Sequence, residues 1–134
     1  MRYPEWVIVN TLMRSSRPGY DSKDVDFETV KNWTENVSNE GVKSIICLLS
    51  PKQIKYYGQV PEGLLVYYQR NGFNVVYIPI TDPADNPQGW GELEAKLEEI
   101  YRAFQELPKP VLVHCSAGVD RTGKAIQYIF KKLG

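Results

Sequence analysis

Histidine, cysteine and surplus charge are all scarce in this sequence. A lone His114 with Cys47 and Cys115 cannot make up the usual four-ligand zinc set, so no metal or other cofactor is expected. Two cysteines also exclude a disulfide-built scaffold. Sixteen basic and sixteen acidic residues cancel, so no global field draws the chain to nucleic acid or to a membrane surface. Any anion it binds has to be gripped by local geometry. The apolar runs, such as Ile45–Leu49, are far too short to span a bilayer. The start, "MRYPEWVIVN", lacks the apolar stretch and small-residue cleavage site of a secretory signal. The 134 residues suit one domain, 1–134, with no repeat or linker. A cytoplasmic, monomeric enzyme or binding module is the expectation.

What is present is an alternation of strand-like and helix-like patterns. "WVIVN" (6–10) reads as a first strand, and "TLMRSSRPGYDSKD" as a polar loop. Phe27, Val30, Trp33 and Val37 fall at helical spacing, with Gly41 as a stop. "VKSIICLLS" (42–50) is nearly all apolar, as expected of a strand buried on both faces of a parallel sheet. "SPKQIKYYG" and "PEGLLVYYQRNG" read as two short helices, and their tyrosine pairs as packing. "FNVVYIPI" (73–80) is a further strand. The clearest helix is 90–107, with Leu93, Leu97, Ile100, Tyr101 and Phe104 on one face. "KPVLVHC" and "RTGKAIQYIFKKL" supply the last strand and the last helix. The order implies a single α/β domain with a central, mainly parallel sheet flanked by helices. Ligands of such sheets bind beyond the carboxyl ends of the strands. Here those are the loops at 81–89 and 115–121, with 11–20 as a third wall.

The decisive stretch is "VLVHCSAGVDRTGKAIQYIF" (111–130). A tight loop from a strand into a helix turns several backbone N–H groups into one concavity, and the helix dipole adds about half a positive charge there. Ser116, Ala117 and Gly118 are small enough to let a ligand approach the backbone, with Val119 and Asp120 completing the loop. Arg121 contributes a planar fork for two oxygens of a phosphate. A nucleotide-binding P-loop would need Gly-x-x-x-x-Gly-Lys-[Ser/Thr], which is absent. A cysteine at such a spot ionises more readily than a free thiol. Cys115 is therefore placed to attack a phosphorus atom held by the cradle. Thr122 follows the arginine and can offer its hydroxyl to the sulfur as it leaves.

"HCSAGVDRTG" resembles the His-Cys-x5-Arg-[Ser/Thr] signature of the cysteine-dependent protein tyrosine phosphatases. With "RSSRPGY", "GVKSIICLL" and "YIPITD", nearly the whole chain resembles the compact dual-specificity branch. The resemblance implies a metal-free, two-step hydrolysis through a phosphocysteine. Cys115 would be the nucleophile and Arg121 the phosphate-binding residue. The amides of Ser116 through Arg121 would complete the cradle, Thr122 would assist thiolate departure, and His114 would be a supporting hydrogen-bonding residue. The family draws its general acid from an aspartate some thirty residues upstream. Asp82 and Asp85 stand 33 and 30 residues before Cys115. "YIPITD" favours Asp82, with Asp85 as the alternative.

Substrates implied are phosphoproteins, phosphotyrosine first, with phosphoserine and phosphothreonine as additions. Alternatives are a phosphoinositide phosphatase, an RNA 5′-triphosphate phosphatase, or a non-catalytic phosphate-binding module. The lack of a basic excess counts against RNA, and the presence of nucleophile, arginine and acid counts against the module. Asp120 departs from the small residue many relatives carry before the arginine, and a structural salt bridge is expected of it. Cys47 is expected to be inert core, with a disulfide to Cys115 as the alternative. Arg14, Arg17 and Tyr20 are candidates for the pocket rim or for loop capping. Compact relatives continue beyond the signature helix, so a shortened or truncated form is expected here.

Overall fold

The computed structural model describes residues 2–134. Five strands form one sheet: β1 (Glu5–Ile8), β2 (Leu12–Ser15), β3 (Ser44–Cys47), β4 (Asn74–Tyr77) and β5 (Val111–His114). The strand order is β1-β2-β5-β3-β4, with β1 antiparallel to β2 and every other pairing parallel. Five helices accompany them: α1 (Phe27–Asn39), α2 (Pro51–Ile54), α3 (Leu64–Arg70), α4 (Gln88–Glu106) and α5 (Asp120–Leu133). A 3-10 turn, Lys55–Tyr57, follows α2 directly. No helix among the described residues is long and apolar enough to cross a membrane.

Two sequence expectations need correction. The supposed loop at 11–20 begins with β2, which pairs with the central β5. Leu12 and Met13 are buried on opposite faces, and the hydroxyl of Ser15 is occupied by Trp33 Nε1 and by the Ser16 carbonyl. The tyrosine pairs are also more than packing. Tyr57 and Tyr68 are buried and aim their hydroxyls at the Pro18 carbonyl and at His114.

The near-continuous apolar strands are explained by burial on both sides. Leu12, Ile46, Val111 and Val113 face α4 and α5, where they meet Leu93, Leu97, Ile100, Ala125 and Ile129. Met13, Ile45, Cys47 and Leu112 face the opposite layer, against Val30, Val37, Leu64 and Tyr68 of α1 and α3. Burying each such aliphatic side chain contributes about 1.5–3 kcal/mol. Asp26 caps α1 by accepting from Thr29 N at 2.7 Å.

The register sets the level of the site. Ser15 and Cys47 both stand beside His114, and Tyr77 stands beside Cys47. The four parallel strands thus end in one row. The segments starting at Ser16, Leu48, Ile78 and Cys115 leave the sheet side by side.

Candidate active site

The Cys115–Arg121 loop is held from outside by its carbonyl groups. Ser116 O accepts from Arg17 N at 2.9 Å, Ala117 O from Arg2 N at 2.9 Å, and Gly118 O from Arg14 Nη2 at 2.7 Å. In contrast, the N–H groups of Ser116 through Arg121 donate to no backbone acceptor among the described residues. A peptide unit whose carbonyl points outward turns the N–H of the next residue inward. The loop therefore presents a set of donors at the start of the 14-residue helix α5. Gly118 takes a φ of +75°, which keeps the turn tight. Cys115 is 2% exposed at the base of this concavity.

Arg121 is 1% exposed and firmly anchored. Its Nη1 donates to the carbonyls of Leu48 (3.1 Å) and Ile80 (2.8 Å) and to Gln53 Oε1 (3.0 Å). These acceptors follow β3 and β4, so one side chain from α5 gathers the exits of both strands. Its Nη2 pairs with Asp82 Oδ2 at 3.0 Å. That carboxylate also accepts from Gln53 Nε2 at 2.9 Å and, through Oδ1, from Ala84 N at 3.0 Å. The Asp82 loop is pinned in turn by α4. Glu92 Oε1 accepts from Thr81 N at 2.8 Å, and Gly89 lies so close to Thr81 that a Cβ there would come within 2.2 Å of its carbonyl oxygen. Asp85 points outward to an exposed ion pair with Lys52 at 3.5 Å. Both aspartates line a cleft of about 270 Å³, with Ser116, Arg17, Tyr20, Lys23 and Tyr56 among its other walls.

A buried cysteine, a set of inward-facing amides, an anchored arginine and a carboxylate thus lie together beside one cleft, which Ser116 and Asp82 line. Residues 22–134 match the family described as "Polymorphic toxin system, DSP-PTPase phosphatase". The chain belongs to this family. It is a cysteine-based phosphatase of the dual-specificity/tyrosine phosphatase type and acts on phosphorylated substrates. Two of the solved structures that share its fold are the following. One is the kinase associated phosphatase with its catalytic-site cysteine changed to serine: 23% identity, TM-score 0.70, covering 99% of this chain and 75% of that one. The other is a putative phosphatase (DUF442) from Shewanella putrefaciens CN-32: 23% identity, TM-score 0.62, covering 98% and 73%. No curated protein matches the chain.

Around this centre the phosphatase places its supporting residues. His114 is fully buried, with Nδ1 3.1 Å from the Cys115 carbonyl and Nε2 3.0 Å from the Tyr68 hydroxyl. The carbonyl can only accept, so Nδ1 carries the proton and Nε2 accepts from the phenol. Burial lowers the imidazole to about 4, which keeps it neutral. Cys47 is inert core: burial pushes its thiol up to about 12, and both cysteines are free. Thr122 is buried, and its hydroxyl has no hydrogen-bond partner among the described residues. The expected Thr122 contact with the sulfur is therefore not made here. Asp120 corrects another expectation. It is an exposed acid in the first turn of α5, facing the helix dipole, and forms no ion pair among the described residues.

The phosphatase uses two residues whose roles are not evident from the sequence. Arg17 is 3% exposed and spends its guanidinium on structure. Nε donates to Ser116 Oγ (3.1 Å), Nη1 to Gly19 O (3.1 Å) and the Tyr57 hydroxyl (3.3 Å), and Nη2 to the carbonyls of Tyr20 and Ser22 (2.8 Å each). The Tyr56 ring lies 4.9 Å from its Cζ, so the buried cation has an aromatic face, and it pairs with no carboxylate among the described residues. Arg17 and Arg14 thus buttress the phosphate loop from the N-terminal segment. Gln53 is the second, linking Arg121 to Asp82. Its only advance signal is the Ser-x-x-Gln spacing of a helix capping box at residues 50–53.

Proposed function

We propose that the protein is a phosphotyrosine phosphatase working through a phosphocysteine intermediate, with residues 1–134 as one catalytic domain. Cys115 Sγ attacks phosphorus and the P–S bond forms as the P–O bond to the leaving oxygen breaks. Asp82 gives its proton to that oxygen. The amides of Ser116 through Arg121 and the Arg121 guanidinium hold the three equatorial oxygens, where charge develops. In the second step Asp82, now ionised, takes a proton from water as the water oxygen attacks phosphorus. The thiolate departs and inorganic phosphate is released. The unpartnered hydroxyl of Thr122 is free to donate to the departing sulfur. No step passes through a metal.

The observation that carries the substrate reading is the burial of Cys115 next to Ser116, which lines a cleft together with Tyr20 and Tyr56. A phenyl phosphate is long and flat enough to reach a recessed nucleophile between aromatic walls. The shorter phosphoserine arm reaches less far. β2 lies outside the matched residues yet pairs with β5 along all four positions, which supports treating the whole chain as one domain.

Cys115→Ser tests the mechanism. Turnover of a phosphotyrosine peptide is expected to vanish while vanadate still binds, because the amides and Arg121 remain. Residual activity within about tenfold of the parent overturns the covalent route. A panel of phosphotyrosine, phosphoserine and phosphothreonine peptides, phosphoinositides and 5′-triphosphate RNA tests the substrate class. Preference for any member other than phosphotyrosine overturns that part.

A further inference from the structure

Gln53 touches both halves of the site and belongs to neither. Its Oε1 accepts from Arg121 Nη1 at 3.0 Å and from Ser50 N at 3.2 Å, and its Nε2 donates to Asp82 Oδ2 at 2.9 Å. Two obligate donors at one end and a carboxylate at the other fix the orientation of the amide. The side chain is 3% exposed, so these bonds are shielded from water. Arg121 Nη2 reaches the same Asp82 oxygen, closing a triangle of Gln53, Arg121 and Asp82.

That triangle poses a problem for acid catalysis. Asp82 receives three hydrogen bonds, and its Oδ2 is shared between the Arg121 cation and Gln53. A general acid has to arrive carrying its proton. A phosphoryl group in the cradle competes for Arg121 Nη2. Arg121 Nη1 stays fixed on Leu48, Ile80 and Gln53. Asp82 then keeps a single side-chain partner, the neutral amide of Gln53.

We propose that Gln53 is a positioning residue for both arms of the reaction: it orients Arg121 for phosphate and holds Asp82 toward the leaving oxygen once substrate claims the arginine. The second arm rests on Asp82 being the acid, as argued above, and the first does not.

Gln53→Glu and Gln53→Met together separate the two. Glutamate at this third helical position preserves the capping box with Ser50. It still offers an acceptor to Arg121, but replaces the donor facing Asp82 with an anionic oxygen. The other charges near Asp82 are unaltered. They are Arg121 on α5, Glu92 on α4 and the Lys52–Asp85 pair, with the titratable Cys115 on the adjoining loop. Across the cleft lie Arg17, Asp21 and Lys23, with the phenols of Tyr20 and Tyr56.

The readouts are inhibition by inorganic phosphate and the pH profile of kcat on two aryl phosphates, one with a poor and one with a good leaving group. For Gln53→Glu, the added anion beside Arg121 also weakens phosphate inhibition, so this variant is read on the split between the two substrates and on the pH limb. Hydrolysis of the poor leaving group falls about tenfold, and the alkaline limb moves up by about one pH unit, because a neighbouring anion disfavours ionisation of the acid. For Gln53→Met, which removes the amide at similar length, phosphate inhibition weakens about tenfold as well. An unmoved limb and equal losses on both substrates in Gln53→Glu overturn the acid arm. Unchanged phosphate inhibition in Gln53→Met overturns the arginine arm. If Asp82→Asn itself shows no dependence on the leaving group, the assignment of the acid has failed. Phosphate inhibition of Gln53→Met then decides the arginine arm alone.

Discussion

Gly118 lies directly against the backbone of Ser15. A Cβ built on it would stand 2.6 Å from both the carbonyl carbon and oxygen of Ser15 and 2.7 Å from Ser16 N. The glycine also adopts a φ of +75°, where a side chain is strained. The phosphate loop and the end of β2 are thus in contact at the smallest residue available. Gly118→Ala is expected to cost at least about 2 kcal/mol of stability, since backbone atoms have to move to admit one methyl group. Denaturant unfolding measures the cost. The displaced cradle should also lose affinity for inorganic phosphate. A variant with parental stability and phosphate inhibition would show that the contact does not shape the loop.

Arg121→Lys is expected to lower kcat/KM by about a hundredfold or more. Three acceptors converge on one guanidinium nitrogen, Nη1, while Nη2 reaches Asp82. A single ammonium cannot hold all four and also grip two phosphate oxygens. Steady-state kinetics on a phosphotyrosine peptide is the check, and a loss smaller than about tenfold contradicts the assignment.

Asp82→Asn and Asp85→Asn distinguish the two candidate acids. General acid catalysis contributes about 10²–10⁴ in rate, and most where the leaving group is poor. Asp82→Asn should slow phosphotyrosine hydrolysis strongly, slow an activated aryl phosphate much less, and flatten the alkaline limb. Asp85 forms an exposed ion pair with Lys52, so Asp85→Asn should change either rate little. The opposite pattern would exchange their roles.

His114 gives stability a pH dependence. Its imidazole falls from an ordinary 6.5 to about 4 in the folded chain, chiefly through burial. Between those values the unfolded chain binds the proton and the folded one does not, so stability rises with pH. Acidification from 6.5 to 4 should therefore remove on the order of 3 kcal/mol. Above 6.5 this contribution is fully present. Unfolding of the parent and of His114→Gln across that range is the measurement. The slope belongs to the imidazole only if it disappears in the variant.

The parts of the site legible in the sequence are those whose geometry is local. Seven consecutive residues, Cys115–Arg121, make the cradle. The strand before them and the helix after them follow from period-two and helical patterning over adjacent positions. The candidate acids could be narrowed to Asp82 and Asp85 by spacing. The direction of each carboxylate could not, because it depends on Arg121 and Gln53, 39 and 29 residues away from Asp82.

β2 is not legible in the sequence, because four residues carrying an arginine and a serine show too little alternation to read as a strand. Its place beside β5 comes from long-range pairing. Arg17 was ambiguous for a related reason. A buried cation is tolerable only where many acceptors and aromatic faces are already assembled, and Ser116 and Tyr57 lie 99 and 40 residues from it. Sequence alone pointed to Cys115 and Arg121 as the proposed nucleophile and phosphate-binding arginine, and to the strand and helix around them, because these lie in contiguous residues. Which side chains orient them was decided only by the tertiary structure. Buried hydrogen bonds need precise distances between distant segments, and no one-dimensional pattern records those distances.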